Sequence, residues 1–186
     1  MIIAVVGSGG KTTLIKKLAK QFCSEGKSVL VTTTTHMFAE EDTLLTDEAE
    51  KIIGTLQETG YVMAGLPEGE KIKGLSKETF SRVCAHADVV LVEADGSKRL
   101  PIKYPNETEP VIPLGTDEII VVWGRHSLGK PAYQVCHRLE LVTRCLGISA
   151  DTPITREHVR KLLQGGYLTP LQEKYPYVKI SVYPEL

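Results

Sequence analysis

Ile2-Ile3-Ala4-Val5-Val6-Gly7-Ser8-Gly9-Gly10-Lys11-Thr12-Thr13 opens the chain with a continuous apolar run that passes directly into glycines and then into Lys-Thr-Thr. An unbroken apolar run of this kind suits a strand buried on both faces, as in a parallel sheet. Behind it, Leu14, Ile15, Leu18, Ala19 and Phe22 recur at helical spacing, with Lys16, Lys17 and Lys20 between them. The stretch therefore predicts strand, glycine loop and helix, the order of a nucleotide-phosphate cradle. Glycines let successive backbone N–H groups converge on phosphate oxygens, a lysine adds a mobile cation, and the following hydroxyl can ligate Mg²⁺ at the positive end of the helix. Gly7, Ser8, Gly9, Gly10, Lys11, Thr12 and Thr13 are the candidate nucleotide-binding residues.

The strict phosphate-loop pattern requires glycine where this chain has Val5. What stands here is the shorter G-x-x-G-K-[ST], which resembles the compact phosphate loop of the Mur-type amide ligases. A dinucleotide fingerprint fits worse, because Thr12 occupies its third glycine position and Lys11 would have no role.

At 186 residues, with a formal net charge of −1 and both signs mixed along its length, the chain predicts a single domain, 1–186, whose C-terminal part from about residue 130 is small and helical. The charge balance argues against a general nucleic-acid surface. Cys23, Cys84, Cys136 and Cys145 form no C-x-x-C pair and sit in apolar segments, the usage of reduced core thiols. The first apolar run ends at Gly7, too short for a signal peptide or membrane span, so a cytoplasmic protein with no membrane partner is expected.

Further along, Val29-Leu30-Val31 reads as a second strand ending in Thr32-Thr33-Thr34-Thr35-His36. Ligands gather at the carboxyl ends of parallel strands, which makes Thr34 and His36 candidate nucleotide contacts. Phe38 to Thr46 reads as irregular, Asp47 as the start of a helix, Tyr61 to Ala64 as a short strand, and Gly65 to Gly74 as a loop. Ser76 and Thr155 read as helix caps, Tyr133 to Leu146 as one helix, and Val178 to Tyr183 as a final strand.

Asp88-Val89-Val90-Leu91-Val92-Glu93-Ala94-Asp95-Gly96 is the second informative stretch: apolar residues, then two carboxylates at the strand's end. It resembles a Walker B strand, in which a carboxylate holds the Mg²⁺ shell opposite the loop hydroxyl. Thr12 and Glu93 are the candidate metal residues. Glu93 is expected nearer the Lys11-Thr12 cradle, and Asp95, beside Gly96, is expected to position substrate or water. Lys98, Arg99 and Lys103 follow at once, and cations there suit a transferring phosphate or an anionic substrate. Glu93, Asp95, Lys98 and Arg99 are the candidate catalytic residues.

Taken together, Val6 to Thr13, Val29 to Met37, Val92 to Pro101 and Glu109-Pro110-Val111-Ile112-Pro113 resemble one family, the accessory proteins of selenium-dependent molybdenum hydroxylases assigned to biosynthesis of the selenium cofactor. The resemblance runs from residue 1 to about residue 165. It implies a nucleotide-dependent step, with ATP or GTP and Mg²⁺, in maturing a molybdenum hydroxylase or its cofactor. The expected fold is α/β, a three-layer P-loop NTPase-like arrangement with a mostly parallel sheet. The expected activity is nucleoside-triphosphate hydrolysis or phosphoryl transfer, with a non-hydrolysing nucleotide-gated chaperone or a small-molecule kinase as alternatives. No Asn-Lys-x-Asp segment is present, which favours ATP over GTP.

Overall fold

Continuous apolar runs become central strands, and the glycine-lysine stretch separates the first of them from a helix. The computed structural model describes residues 1–186. In chain order the elements are β1 (Ile2–Gly7), α1 (Lys11–Ser24), β2 (Val29–Thr33), β3 (His36–Phe38), β4 (Leu44–Leu45), α2 (Ala49–Thr59), β5 (Tyr61–Glu68), β6 (Lys71–Lys73), α3 (Lys77–Cys84) and β7 (Val89–Glu93). There follow β8 (Ile102–Lys103), β9 (Glu118–Val122), α4 (Ala132–Val135), β10 (Cys136–His137), α5 (Leu139–Leu146), α6 (Arg156–Leu163), a π-helical turn (Gln164–Leu168), α7 (Thr169–Lys174) and β11 (Lys179–Tyr183). The protein is α/β, with a mostly parallel mixed sheet.

The residues group into two compact units that alternate along the chain. The first comprises Met1–Val5, Thr12–Ala94 and Val111–Asp117; the second comprises Val6–Lys11, Asp95–Pro110 and Glu118–Leu186. In the first unit the strand order is β1-β7-β2-β5-β6-β3, with β4 also paired to β5. β1, β7, β2 and β5 run parallel, so β7 lies between two strands that are near neighbours in sequence. Every residue of β2 and β7 is buried, which is why these strands read as uninterrupted apolar runs rather than alternating ones. Helix α1 buries Leu14, Ile15 and Ala19, while Lys16, Lys17 and Lys20 remain exposed.

Two expectations in this unit are corrected. The segment 65–74 is not a connecting loop: β5 continues to Glu68 and turns back antiparallel into β6, which pairs in turn with β3. Gly65 is needed there because a Cβ would lie 2.7 Å from the Lys73 carbonyl oxygen. Asp47 does not cap α2, whose N-cap is Glu48 without a side-chain bond. Asp47 Oδ1 instead accepts from Ser76 N at 2.8 Å, and Ser76 Oγ caps α3 by accepting from Thr79 N at 3.2 Å.

The second unit holds β9 and β11 in parallel register, Glu118 opposite Lys179 through Val122 opposite Tyr183. Its core gathers Trp123, Val142, Ile154, Val159, Leu162, Leu163, Tyr167 and Leu171. Thr155 caps α6 through a reciprocal box with His158, as its sequence position predicts. The single helix expected over 133–146 is broken. Cys136 and His137 leave the helical path to pair with Ile102 and Lys103, and Arg138 takes a left-handed φ of 60° before α5 begins. Tertiary bonding overrides local propensity here, because Arg138 turns back to Glu109 and to the Tyr104 carbonyl. Of the four cysteines, only Cys136 is buried, and Cys145 is exposed. No helix is long and apolar enough to cross a membrane.

Candidate functional site

In the second unit, the loop after β1 is built on three glycines with positive φ, 86° at Gly7, 77° at Gly9 and 127° at Gly10. Two of them also permit close approach. A Cβ on Gly7 would lie 2.2 Å from the Val122 carbonyl oxygen, and one on Gly9 would lie 2.7 Å from Gly124 and 2.8 Å from Pro101. Ser8 N donates to Val122 O at 2.8 Å, and Gly124 N donates to Pro101 O at 2.9 Å, so the loop rests on a fixed backbone floor. Gly7 N donates to Asp95 Oδ2 at 3.1 Å.

The amides of Gly7 and Ser8 thus anchor the loop from within the protein. The loop then passes into the first turn of α1, the positive end of the helix dipole. Lys11 opens that turn, buried, with Nζ donating to Gly7 O at 3.0 Å and to Ser97 Oγ at 3.3 Å.

Asp95, expected to position substrate or water, is fully buried. Besides Gly7 N, Oδ2 accepts from the Tyr167 hydroxyl at 2.7 Å, while Oδ1 is ion-paired with Lys103. Lys103, read from the sequence as a cation suited to a phosphate or anionic substrate, has no exposed side-chain surface; it also reaches Glu109 at 2.5 Å, and Glu109 pairs with Arg138 at 2.6 Å. Two carboxylates thus face two cations beneath the loop. Burial by itself would raise the Glu109 carboxyl, but hydrogen bonds and charge from Arg138 and Lys103 outweigh it and hold the group at about 2. Burial first, and the Asp95 carboxylate second, push the Tyr167 phenol well above its ordinary value of 10, so it remains a donor.

A carboxyl whose folded pKa is depressed stabilises the fold above its unfolded value and stops doing so as pH falls through the folded one. Stability is therefore expected to decline as pH falls from 4.5 towards 2, with the buried Trp123, the chain's one tryptophan, as reporter. Glu109→Gln should be less stable at neutral pH and should show a flatter acid profile. An unchanged slope in the variant would mean that other carboxylates set the acid sensitivity.

Lys98 and Arg99 are exposed and hold the centre of a turn closed by Leu100 N donating to Ser97 O at 3.0 Å. Both have left-handed backbones, with φ 48° and 63°. Non-glycine residues reach this region at a cost and are concentrated at functional sites.

In the first unit, Thr12 Oγ1 donates to Glu93 Oε2 at 3.0 Å. Glu93 closes β7 in register with Val5 on one side and Thr33 on the other, at the carboxyl ends of all three strands. Its carbonyl accepts from Thr33 Oγ1 at 2.7 Å and from Thr34 N at 3.1 Å. The threonine run largely stitches the sheet: Thr32 Oγ1 donates to Ala64 O, and Thr34 Oγ1 to Val111 O at 2.7 Å. His36 pairs with Glu68 at 2.6 Å on the hairpin. Thr13 is exposed in the first turn of α1.

The structure thus brings together Thr12 with Glu93 in one unit, and Gly7 to Lys11 with Asp95 and Ser97 in the other. Sequence reasoning missed Tyr167, Arg138 and Glu109 as supports of the loop. Glu109-Pro110 stood out only as part of a family resemblance, and nothing in the pattern around Tyr167 marks it beyond the preceding Gly165-Gly166.

Buried parallel strands β1, β7, β2 and β5, joined through helices, define the class of the protein as α/β. A family model described as YqeC protein matches residues 3–140, and the chain belongs to this family. The uncharacterized protein YqeC of Escherichia coli strain K12 is 33% identical over 162 residues, covering 82% of this chain and 63% of that protein. The chain thus spans under two thirds of that relative's length. No solved structure matches.

Proposed function

We propose that this chain binds a nucleoside triphosphate with Mg²⁺ through a P-loop NTPase-like site, and that it serves as a nucleotide-dependent maturation factor for a selenium-dependent molybdenum hydroxylase. The observation that carries the nucleotide reading is the Thr12–Glu93 pair: a hydroxyl directly after a glycine-rich loop and lysine, held at 3.0 Å from a carboxylate at a strand end. Two hard oxygen donors of this kind fit Mg²⁺, which typically takes one or two protein oxygens beside substrate phosphates. The left-handed backbones of Gly9 and Gly10 fit a phosphate cradle, since such conformations let successive amides converge on an anion. Mg²⁺ would supply charge neutralisation of the phosphates. Lys11 would contact the outer phosphates, and Lys98 and Arg99 would hold anionic charge beside them. Asp95 would act from below the loop by fixing its backbone. The maturation role rests on the family resemblance, which the match to the YqeC family supports.

Calorimetric titration with ATP and GTP, with and without Mg²⁺, tests the binding step. Lys11→Ala should weaken triphosphate binding by about tenfold or more, the scale of a charge-assisted hydrogen bond. Thr12→Ala should weaken the Mg²⁺ complex more than the metal-free nucleotide. No binding by the parent protein, or unchanged affinity in Lys11→Ala, would overturn the cradle. Turnover assayed on the same samples separates a hydrolase or transferase from a nucleotide-gated chaperone.

A further inference from the structure

We propose that Tyr167 is a positioning residue for the glycine loop, acting through Asp95 to hold the Gly7 amide in place. The inference deepens the nucleotide reading, but its geometry stands without a ligand. Asp95 Oδ2 accepts both the Tyr167 hydroxyl at 2.7 Å and the Gly7 N–H at 3.1 Å, so one oxygen ties the loop to a tyrosine distant in sequence. Both Tyr167 and Asp95 are fully buried, which keeps bulk water from serving as a ready substitute donor. The adjoining cavity, lined by Ser8, Lys103, Trp123 and Tyr167 among others, has a volume of about 10 Å³, at the lower limit for a single water.

The tyrosine is placed by a local departure from regular helix. Gln164–Leu168 forms a π-helical turn between α6 and α7, a rare conformation that recurs at functional sites. Gly166 lets this turn close on Tyr104 and Pro105, for a Cβ there would lie 2.9 Å from Pro105 Cδ and 3.2 Å from the Tyr104 ring. Tyr167 lies beyond residues 3–140, the part that matches the family model, so the C-terminal segment contributes a side chain to the support of the loop.

Tyr167→Phe removes the hydroxyl and keeps the ring, so the core volume is preserved. Hydrogen exchange of the ligand-free protein is the decisive measurement. Amides of Gly7 and Ser8 should exchange about tenfold faster in the variant, the scale of one lost buried hydrogen bond, while those of β9 keep their protection. A purely structural role would lower the melting temperature and speed both segments alike, and that result, or unchanged exchange at the loop, would overturn the proposal. In parallel, triphosphate affinity should fall by a similar factor. If the parent protein binds no triphosphate, the nucleotide reading fails, and the exchange result still decides the role of Tyr167.

Discussion

Replacing Lys103 with methionine is expected to cost about 3–5 kcal/mol of stability, the penalty for leaving buried carboxylates without their cation. The Lys103 ammonium lies between Asp95 and Glu109, and neither it nor Asp95 has any exposed side-chain surface. Methionine matches the stem in length, so the loss isolates charge rather than volume. Arg138 still faces Glu109, but Asp95 would retain only the neutral donors Gly7 N–H and Tyr167 O–H. Urea unfolding followed by Trp123 fluorescence measures the change. A second substitution makes the interpretation sharper: Asp95→Asn in the Lys103→Met background should recover part of the stability, because a buried pair replaced by neutral groups is often nearly neutral overall. A loss under about 1 kcal/mol for the single variant would show that the pair is solvated in solution and not a buried ion pair.

This network is also where sequence reasoning stops. The strands β1, β2 and β7 are legible because both faces of each are covered, so hydrophobicity alone marks them. Helix α1 is legible from its amphipathic spacing and the loop from its glycines. Glu93 and Asp95 are two apart and would point the same way while the chain stays extended, so alternation alone cannot assign them different partners. The structure ends β7 at Glu93, which turns to Thr12, and gives Asp95 to Gly7, Lys103 and Tyr167.

Lys103 was equally opaque, since a lysine just past two strand-end carboxylates reads as a cation for a phosphate or anionic substrate until its partners, Asp95 and Glu109, are known. Segments 65–74 and 133–138 misled for a related reason. Glycine and proline in β5 mark close backbone approach and an edge hairpin there, and the apolar spacing around Val135 and Leu139 is interrupted by a strand pairing that involves residues more than thirty positions away. Lys103 and 133–138 were decided by bonds distant in sequence, and the local β5–β6 hairpin is held on its far side by β3, a pairing that leaves no periodicity behind.

Gly7→Ala is expected to be the most damaging change within the loop, at about 2–6 kcal/mol, the sum of left-handed strain and a steric clash that cannot relax cheaply. The strain follows from φ of 86°, a region that costs an L-residue with a Cβ. The clash is with backbone: the new Cβ would stand 2.2 Å from Val122 O and 3.0 Å from Val122 N, atoms fixed by the β9 pairing with β11 and by the Ser8 N–H bond. Gly10→Ala separates the two contributions. Gly10 also has a positive φ, 127°, yet no atom lies within 4 Å of its Cβ position, so that variant should lose only the strain of about 1–3 kcal/mol. Urea unfolding of both proteins gives the comparison directly. Equal losses would mean that Val122 yields to the methyl group and that the loop floor is soft. A clearly larger loss for Gly7→Ala would mean that the cradle is held by contact with β9 as well as by the conformational freedom of its glycines, and that its shape is set before any ligand arrives.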